Sequence, residues 1–121
     1  MPNHQLPHHK LLAYGKAVAL VCAVREAGVE PAHLRDQALR AATSAALNTA
    51  EGAARVSPAD KARAFAIARG EASEAAAAVE VAFALGSVSA EAVARVASIA
   101  NEVVAMLTPL ARRQATFRSR P

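Results

Sequence analysis

The residues best suited to chemistry lie between Ser44 and Glu74. Glu51 and Glu74 are two carboxylates in an alanine-rich background, and paired carboxylates are typical of general acid–base catalysis. A di-metal site in a helical bundle would also need Glu-x-x-His pairs on the facing helices, and the sequence has none. The histidines are His4, His8, His9 and His33. They complete no metal-ligand spacing, so we predict no catalytic, metal or cofactor site and no enzymatic activity.

The single cysteine, Cys22, excludes an intrachain disulfide. It lies among Leu20, Val21 and Val24, which predicts a small buried apolar side chain. A nucleophilic cysteine would need a paired histidine, and nothing in the sequence indicates one.

Five polar residues follow one face of a predicted helix, at spacings of seven, four, three and four. They are Gln37, Ser44, Asn48, Glu51 and Arg55. Three interpretations are open: a solvated face, a hydrogen-bonded network that fixes helix register or subunit contacts, or a catalytic or ligand site. We favour the network, because these residues are embedded among alanines.

Two glycines accompany the polar face. Gly52 is expected either to end its helix or to allow a close approach. Gly70 lies inside a predicted helix, where glycine costs about 1 kcal/mol relative to alanine. We therefore expect the second helix or a neighbouring subunit to pass close to Gly70.

The composition predicts one small all-α domain with a core of small side chains. Apolar residues make up 54% of the 121 residues and aromatic residues only 3%, and there are 34 alanines. Alanine favours helices but buries little area. An isolated bundle of this kind would be marginally stable, which favours self-association.

Breakers divide the chain into four helices. We predict the first helix over residues 9–27 and the second from Pro31 to residue 53. The third begins after a cap at Ser57 and continues towards Gly86, and the fourth begins after a cap at Ser89. Pro109 is expected to kink or fray the end of the fourth helix. Four helices with short connections predict an antiparallel up-down-up-down bundle. The domain division is a flexible N-terminus (1–8), the bundle (9–111) and a basic C-terminal tail (112–121).

The net charge of +4 comes entirely from that tail, because residues 1–110 hold ten basic and ten acidic side chains. A short arginine tail can contact phosphates or simply be a solvated end. The sequence shows no signal-peptide pattern and no run of about 18 uninterrupted apolar residues. We expect a cytoplasmic protein without membrane contact.

The polar face carries a family resemblance. The chain resembles the bacterial four-helix bundle proteins encoded in intervening sequences of ribosomal RNA genes. The pattern of that family is Ser-x-x-x-Asn-Ile-Ala-Glu-Gly-x-x-Arg-x-Ser, followed by Ala-x-Gly-Ser-x-x-Glu. The chain departs from the pattern at Thr49, Ala53 and Glu71. The matching residues are Ser44, Asn48, Ala50, Glu51, Gly52, Arg55, Ser57, Ala68, Gly70 and Glu74.

The resemblance implies that the chain assembles into a homo-oligomeric ring, typically a pentamer. Most members of the family have no assigned activity. A relative in fold is the accessory variability determinant of diversity-generating retroelements, which binds a reverse transcriptase and nucleic acid.

Two functions follow as hypotheses. The first is a non-enzymatic oligomeric scaffold, with an assembly motif of Ser44, Asn48, Glu51, Gly52, Arg55, Gly70 and Glu74. The alternative is a nucleic-acid-binding accessory protein of a reverse transcriptase. Its candidate contacts with RNA or DNA are Arg35, Arg40, Lys61, Arg63, Arg112, Arg113, Arg118 and Arg120.

Overall fold

The computed structural model describes the backbone of residues 5–119 and the side chains of residues 5–112. A short 3-10 helix, Pro7–Lys10, precedes four α-helices. They are α1 (Leu12–Glu26), α2 (Ala32–Ala54), α3 (Pro58–Ala84) and α4 (Ala90–Ser119). Residues 5–119 contain no strand. The predicted all-α class with four helices is therefore confirmed.

The helix boundaries differ from the predicted ones at three places. Residues 7–10 form the separate 3-10 turn, and Leu11 then adopts an extended conformation, so α1 begins at Leu12. Pro31 precedes α2 as its N-cap. Helix α4 continues through Pro109 to Ser119. Proline removes one helical hydrogen bond, to the carbonyl of Ala105, and because Ala105 is exposed, water can satisfy that carbonyl.

The predicted terminal segments are described in part. Residues 5 and 6 precede the 3-10 helix, residues 7 and 8 belong to it, and residues 112–119 continue α4. Residues 1–4 and 120–121 lie outside the description.

Glycines in the left-handed region form the two turns that precede α2 and α4. Gly28 has a φ of 68° and Gly86 a φ of 86°, values that residues with a Cβ rarely adopt. The two turns contact each other, because the Ser87 hydroxyl accepts a hydrogen bond from the Glu30 amide (3.3 Å) and donates one to the Glu30 carbonyl (3.0 Å). Both turns therefore lie at one end of the molecule.

Serine side chains cap the N-terminal ends of α3 and α4, as predicted. The Ser57 hydroxyl accepts a hydrogen bond from the Asp60 amide at 3.1 Å. The Ser89 hydroxyl accepts one from the Ala92 amide, also at 3.1 Å. Each bond satisfies an amide that has no partner inside the helix.

The helices pack in a closed cycle around a core of small side chains. Each of α1 and α3 contacts both α2 and α4, whereas α1 contacts α3 only slightly. Helices α1 and α3 thus occupy opposite corners. Most buried side chains are alanine, and Phe65 is the one buried aromatic among residues 5–112.

Cys22 is exposed, so the prediction that it is buried is wrong. The buried face of α1 includes Ala13, Ala17 and Leu20. Cys22 follows Leu20 by two residues, which is a rotation of roughly 200° around a helix. Apolar neighbours in sequence do not share a helix face at that spacing.

Helix α4 is long and apolar enough to cross a membrane by length and composition alone, with a mean hydropathy of 1.3 over its most apolar part. Core helices of soluble proteins pass the same test, and α4 buries Val96, Val103 and Leu107 in the core. The expected absence of membrane contact stays a prediction.

Replacing Ser57 by alanine should lower the free energy of unfolding by about 1 kcal/mol, because the Asp60 amide loses its partner. Urea denaturation at a fixed protein concentration measures the change. Ser98→Ala is the matched control, since Ser98 is exposed within α4 and should be neutral. Equal behaviour of the two variants would contradict the capping role.

Candidate functional site

The polar residues of α2 line a cleft beside the first turns of α3. The cleft has a volume of about 370 Å³. Its walls hold two acidic and two basic side chains, so the formal charges cancel. The lining residues are Asn48, Glu51, Arg55, Asp60, Arg63, Ala64 and Ile67.

The polar side chains of α2 form two pairs, each one helical turn apart. The Asn48 side-chain amide donates to the Ser44 carbonyl at 2.9 Å and to the Ser44 hydroxyl at 3.0 Å. Arg55 forms an ion pair with Glu51 and donates to it from Nε at 3.1 Å. The hydrogen bond to Glu51 raises the pKa of Arg55 above its usual value. Arg55 is therefore charged at all physiological pH values.

Both pairs lie within α2 and join it to no other helix. Pairs at this spacing stabilise a helix by about 0.2–0.5 kcal/mol each. Among the hydrogen bonds of residues 5–112, these side chains therefore make none to another helix that would fix the register between helices, as the predicted network requires. Their predicted role in subunit contacts stays a prediction.

The close approach of α2 to α3 occurs at Gly52. A Cβ built on Gly52 would lie 2.7 Å from two ring atoms of Phe65, closer than real Cβ contacts. Gly52 is buried and α2 continues past it to Ala54. The close-approach alternative is thus confirmed, and Gly52 does not end the helix.

Thr49, the departure from the family's isoleucine, is completely buried. Its hydroxyl donates to the Ala45 carbonyl at 2.7 Å. This bond satisfies the polar group in the core, as a buried hydroxyl requires, so threonine can replace an apolar side chain here.

Replacing Gly52 by alanine should lower the free energy of unfolding by about 1 to 3 kcal/mol, because the added methyl group collides with the Phe65 ring. Urea denaturation of Gly52→Ala, Phe65→Leu and the double variant measures the coupling. The double variant should be more stable than the sum of the single changes implies, since leucine lacks the clashing ring. If the double variant instead loses the sum of the two single changes in unfolding free energy, the contact with the Phe65 ring is not the cause of the destabilisation.

Lys61 of α3 caps the C-terminal end of α2. Its ammonium group donates to the carbonyls of Gly52 and Ala53, both at 3.1 Å. These are among the last carbonyls of α2, which lack helical partners, and a cation there also complements the helix dipole. Lys61 was predicted as a nucleic-acid contact, and no sequence signal reveals this capping role.

Lys61→Met should lower the free energy of unfolding by about 1 kcal/mol, because two carbonyls lose their protein donor. Arg40→Met is the matched control. Arg40 is exposed on α2 and has no ion pair among the described residues, so its replacement should be neutral in urea denaturation. A neutral Lys61→Met would contradict the cap.

The second half of the motif lies away from the cleft. Gly70 is exposed, and a Cβ there would meet nothing within 4 Å. The expectation that α2 passes close to Gly70 is therefore wrong within the chain, and approach by a neighbouring subunit stays a prediction. Glu74 follows Phe65 by nine residues, about 13 Å along the helix, and does not line the cleft. The two carboxylates Glu51 and Glu74 are thus not brought together.

The described residues contain no group of three or more His, Cys, Asp or Glu side chains placed to hold a metal ion. The cleft lining includes no Ser, Cys or His side chain that could act as a nucleophile. The arrangement offers charged and amide groups for recognition.

The predicted nucleic-acid contacts are dispersed over several helices. Arg35 pairs with Glu30 at 2.6 Å, Arg63 lines the cleft, and Arg40 is exposed on α2. Arg112 is exposed and lies near Arg69 at a small depression on α3 and α4. The side chains of Arg113, Arg118 and Arg120 lie outside the described residues.

The sequence matches the family model of the 23S rRNA-intervening sequence protein over residues 9–109. This match covers most of the chain, which therefore belongs to that family. The predicted resemblance is confirmed. A search of curated proteins found no match.

Proposed function

We propose that this protein is a non-enzymatic scaffold that acts as a homo-oligomer in the cytoplasm. The observation that carries the proposal is the number of large apolar side chains at the surface of a chain whose core is mostly alanine. Several are more than half exposed, namely Leu6, Leu12, Leu47, Val56, Val81 and Leu85. Burying them in subunit contacts would add the apolar area that the small core lacks.

The proposed subunit is an antiparallel up-down-up-down bundle. Two ion pairs between α1 and α4 support this topology, because Lys16 pairs with Glu102 at 3.3 Å and Glu26 pairs with Arg95. The later residue of α1 thus meets the earlier residue of α4. The contact between Glu30 and Ser87 adds support, since it joins the α1–α2 and α3–α4 turns.

The proposed assembly is a ring, with a pentamer as the expected size from the family resemblance. In such a ring the motif residues would act mainly on the subunit itself. Gly52 seats α2 on Phe65, and the Glu51–Arg55 pair stabilises α2.

We do not propose the alternative of a nucleic-acid-binding partner of a reverse transcriptase. Among its predicted contacts, Arg35 is paired with Glu30 and Lys61 is bound to the carbonyls of α2. The remaining described arginines, Arg40, Arg63 and Arg112, lie on three different helices.

Light scattering coupled to size exclusion tests the proposal. At micromolar concentration we expect a mass that is a multiple of the 12.5 kDa chain, with five copies as the expected number. The mass should fall towards that of one chain on dilution if the contacts are reversible. A single-chain mass throughout the concentration series would refute the scaffold proposal.

A further inference from the structure

The outer face of α1 is mostly apolar. The residues that point away from the core include no acidic side chain until the last turn of the helix. Leu12 is 79% exposed and Val18 is 39% exposed. The exposed outer residues are Leu12, Gly15, Val18, Cys22, Arg25 and Glu26.

The outer face of α3 has a similar character and extends over five turns. Its residues follow spacings of three and four, the pattern by which one helix presents a seam to another. All six are exposed, and Ile67 and Val81 are 44% and 51% exposed. The seam consists of Ile67, Gly70, Glu74, Ala77, Val81 and Ala84.

The outer faces of α2 and α4 differ from these two. Helix α2 exposes Asp36, Arg40 and Glu51, with Leu47 as its large apolar residue. Helix α4 exposes Glu91, Ser98 and Asn101. Apolar and polar faces thus alternate around the bundle, and the two apolar faces belong to helices at opposite corners.

Each apolar face also contains a helical glycine that no contact within the chain explains: Gly15 in the first turn of α1 and Gly70 in the middle of α3. A Cβ on Gly15 or on Gly70 would meet nothing within 4 Å. Glycine in a helix interior, as at Gly70, costs about 1 kcal/mol of helix stability relative to alanine. A helix from outside the chain accounts for both, because a glycine lets a second backbone approach closely.

The charges of the α1 face and of the second half of the α3 face are complementary. Lys10 and Arg25 flank the α1 face, whereas Glu74 and Glu80 lie along the second half of α3, and the exposed Arg63 and Arg69 are confined to its first half. None of Lys10, Arg25, Glu74 and Glu80 forms an ion pair or a side-chain hydrogen bond among the described residues. The faces also have similar lengths, about 20 Å for α1 and 26 Å for α3 at 1.5 Å per residue.

We infer that the outer face of α1 docks on the outer face of α3 of a second copy of this chain. This inference rests on the proposed oligomer and names its contact surfaces. Because the two faces differ and lie at opposite corners, each copy can bind one neighbour through α1 and another through α3. Such head-to-tail contacts generate rings when the rotation closes, whereas a pair of identical faces would stop at a dimer.

The native Cys22 makes the contact testable by cross-linking. Three variants each add one cysteine to the α3 face: Gly70→Cys, Ala77→Cys and Ala84→Cys. Neighbouring positions in this series are about 10 Å apart, so a short bis-maleimide can reach at least one of them from a docked Cys22. Within one chain α1 and α3 face opposite directions, which prevents an internal cross-link.

At least one of the three variants should give a ladder of covalent species larger than a dimer on a denaturing gel. The wild-type chain, with Cys22 alone, should remain uncross-linked, because α1 does not meet α1 in this arrangement. The matched control Ser98→Cys places its cysteine on the polar face of α4 and should give no ladder. Removing Cys22 from the productive variant by Cys22→Ala should abolish the ladder.

Light scattering on the same samples separates the possible failures. An oligomer without a ladder from any of the three variants overturns the α1–α3 contact and leaves the scaffold proposal standing. Efficient dimer formation by the wild-type chain also overturns it, in favour of α1 meeting α1. A single-chain mass overturns the scaffold proposal and the contact together.

Discussion

The close approach of α2 to α3 at Gly52 is the contact on which the other features of this end of the molecule depend. It seats α2 on the ring of Phe65, the large buried side chain at this point. The short distance between α2 and α3 also lets Lys61 reach the last carbonyls of α2, while Ser57 caps the start of α3. The turn between the two helices is therefore held from both sides by local, well-satisfied contacts.

The same small residues that permit close packing also limit what the subunit can bury. A core of alanines gains little area per residue, and a chain of this size has little interior to compensate. In the proposed oligomer, the apolar side chains on the outer faces of α1 and α3 would add buried area. Fold and assembly would then be coupled through the choice of alanine over larger residues.

The family motif is explained mainly by the fold. Ser44 with Asn48 and Glu51 with Arg55 stabilise a single helix, Gly52 allows the approach of α3, and Ser57 begins α3. The cleft beside these residues balances two carboxylates against two guanidinium groups. Within the chain, the two polar pairs stabilise α2, and Gly52 is the motif residue that sets the packing of α2 on α3.

The sequence by itself determined the all-α class, the four helices, the caps at Ser57 and Ser89, and the family, because these depend on local spacing and on hydrogen bonds between near neighbours. Only the tertiary structure decided which side chains are buried and what they contact. Cys22 faces outward, Lys61 caps another helix, and Glu51 and Glu74 lie apart. In an alanine-rich helix most faces look alike in sequence, so burial is decided by which neighbours pack against them.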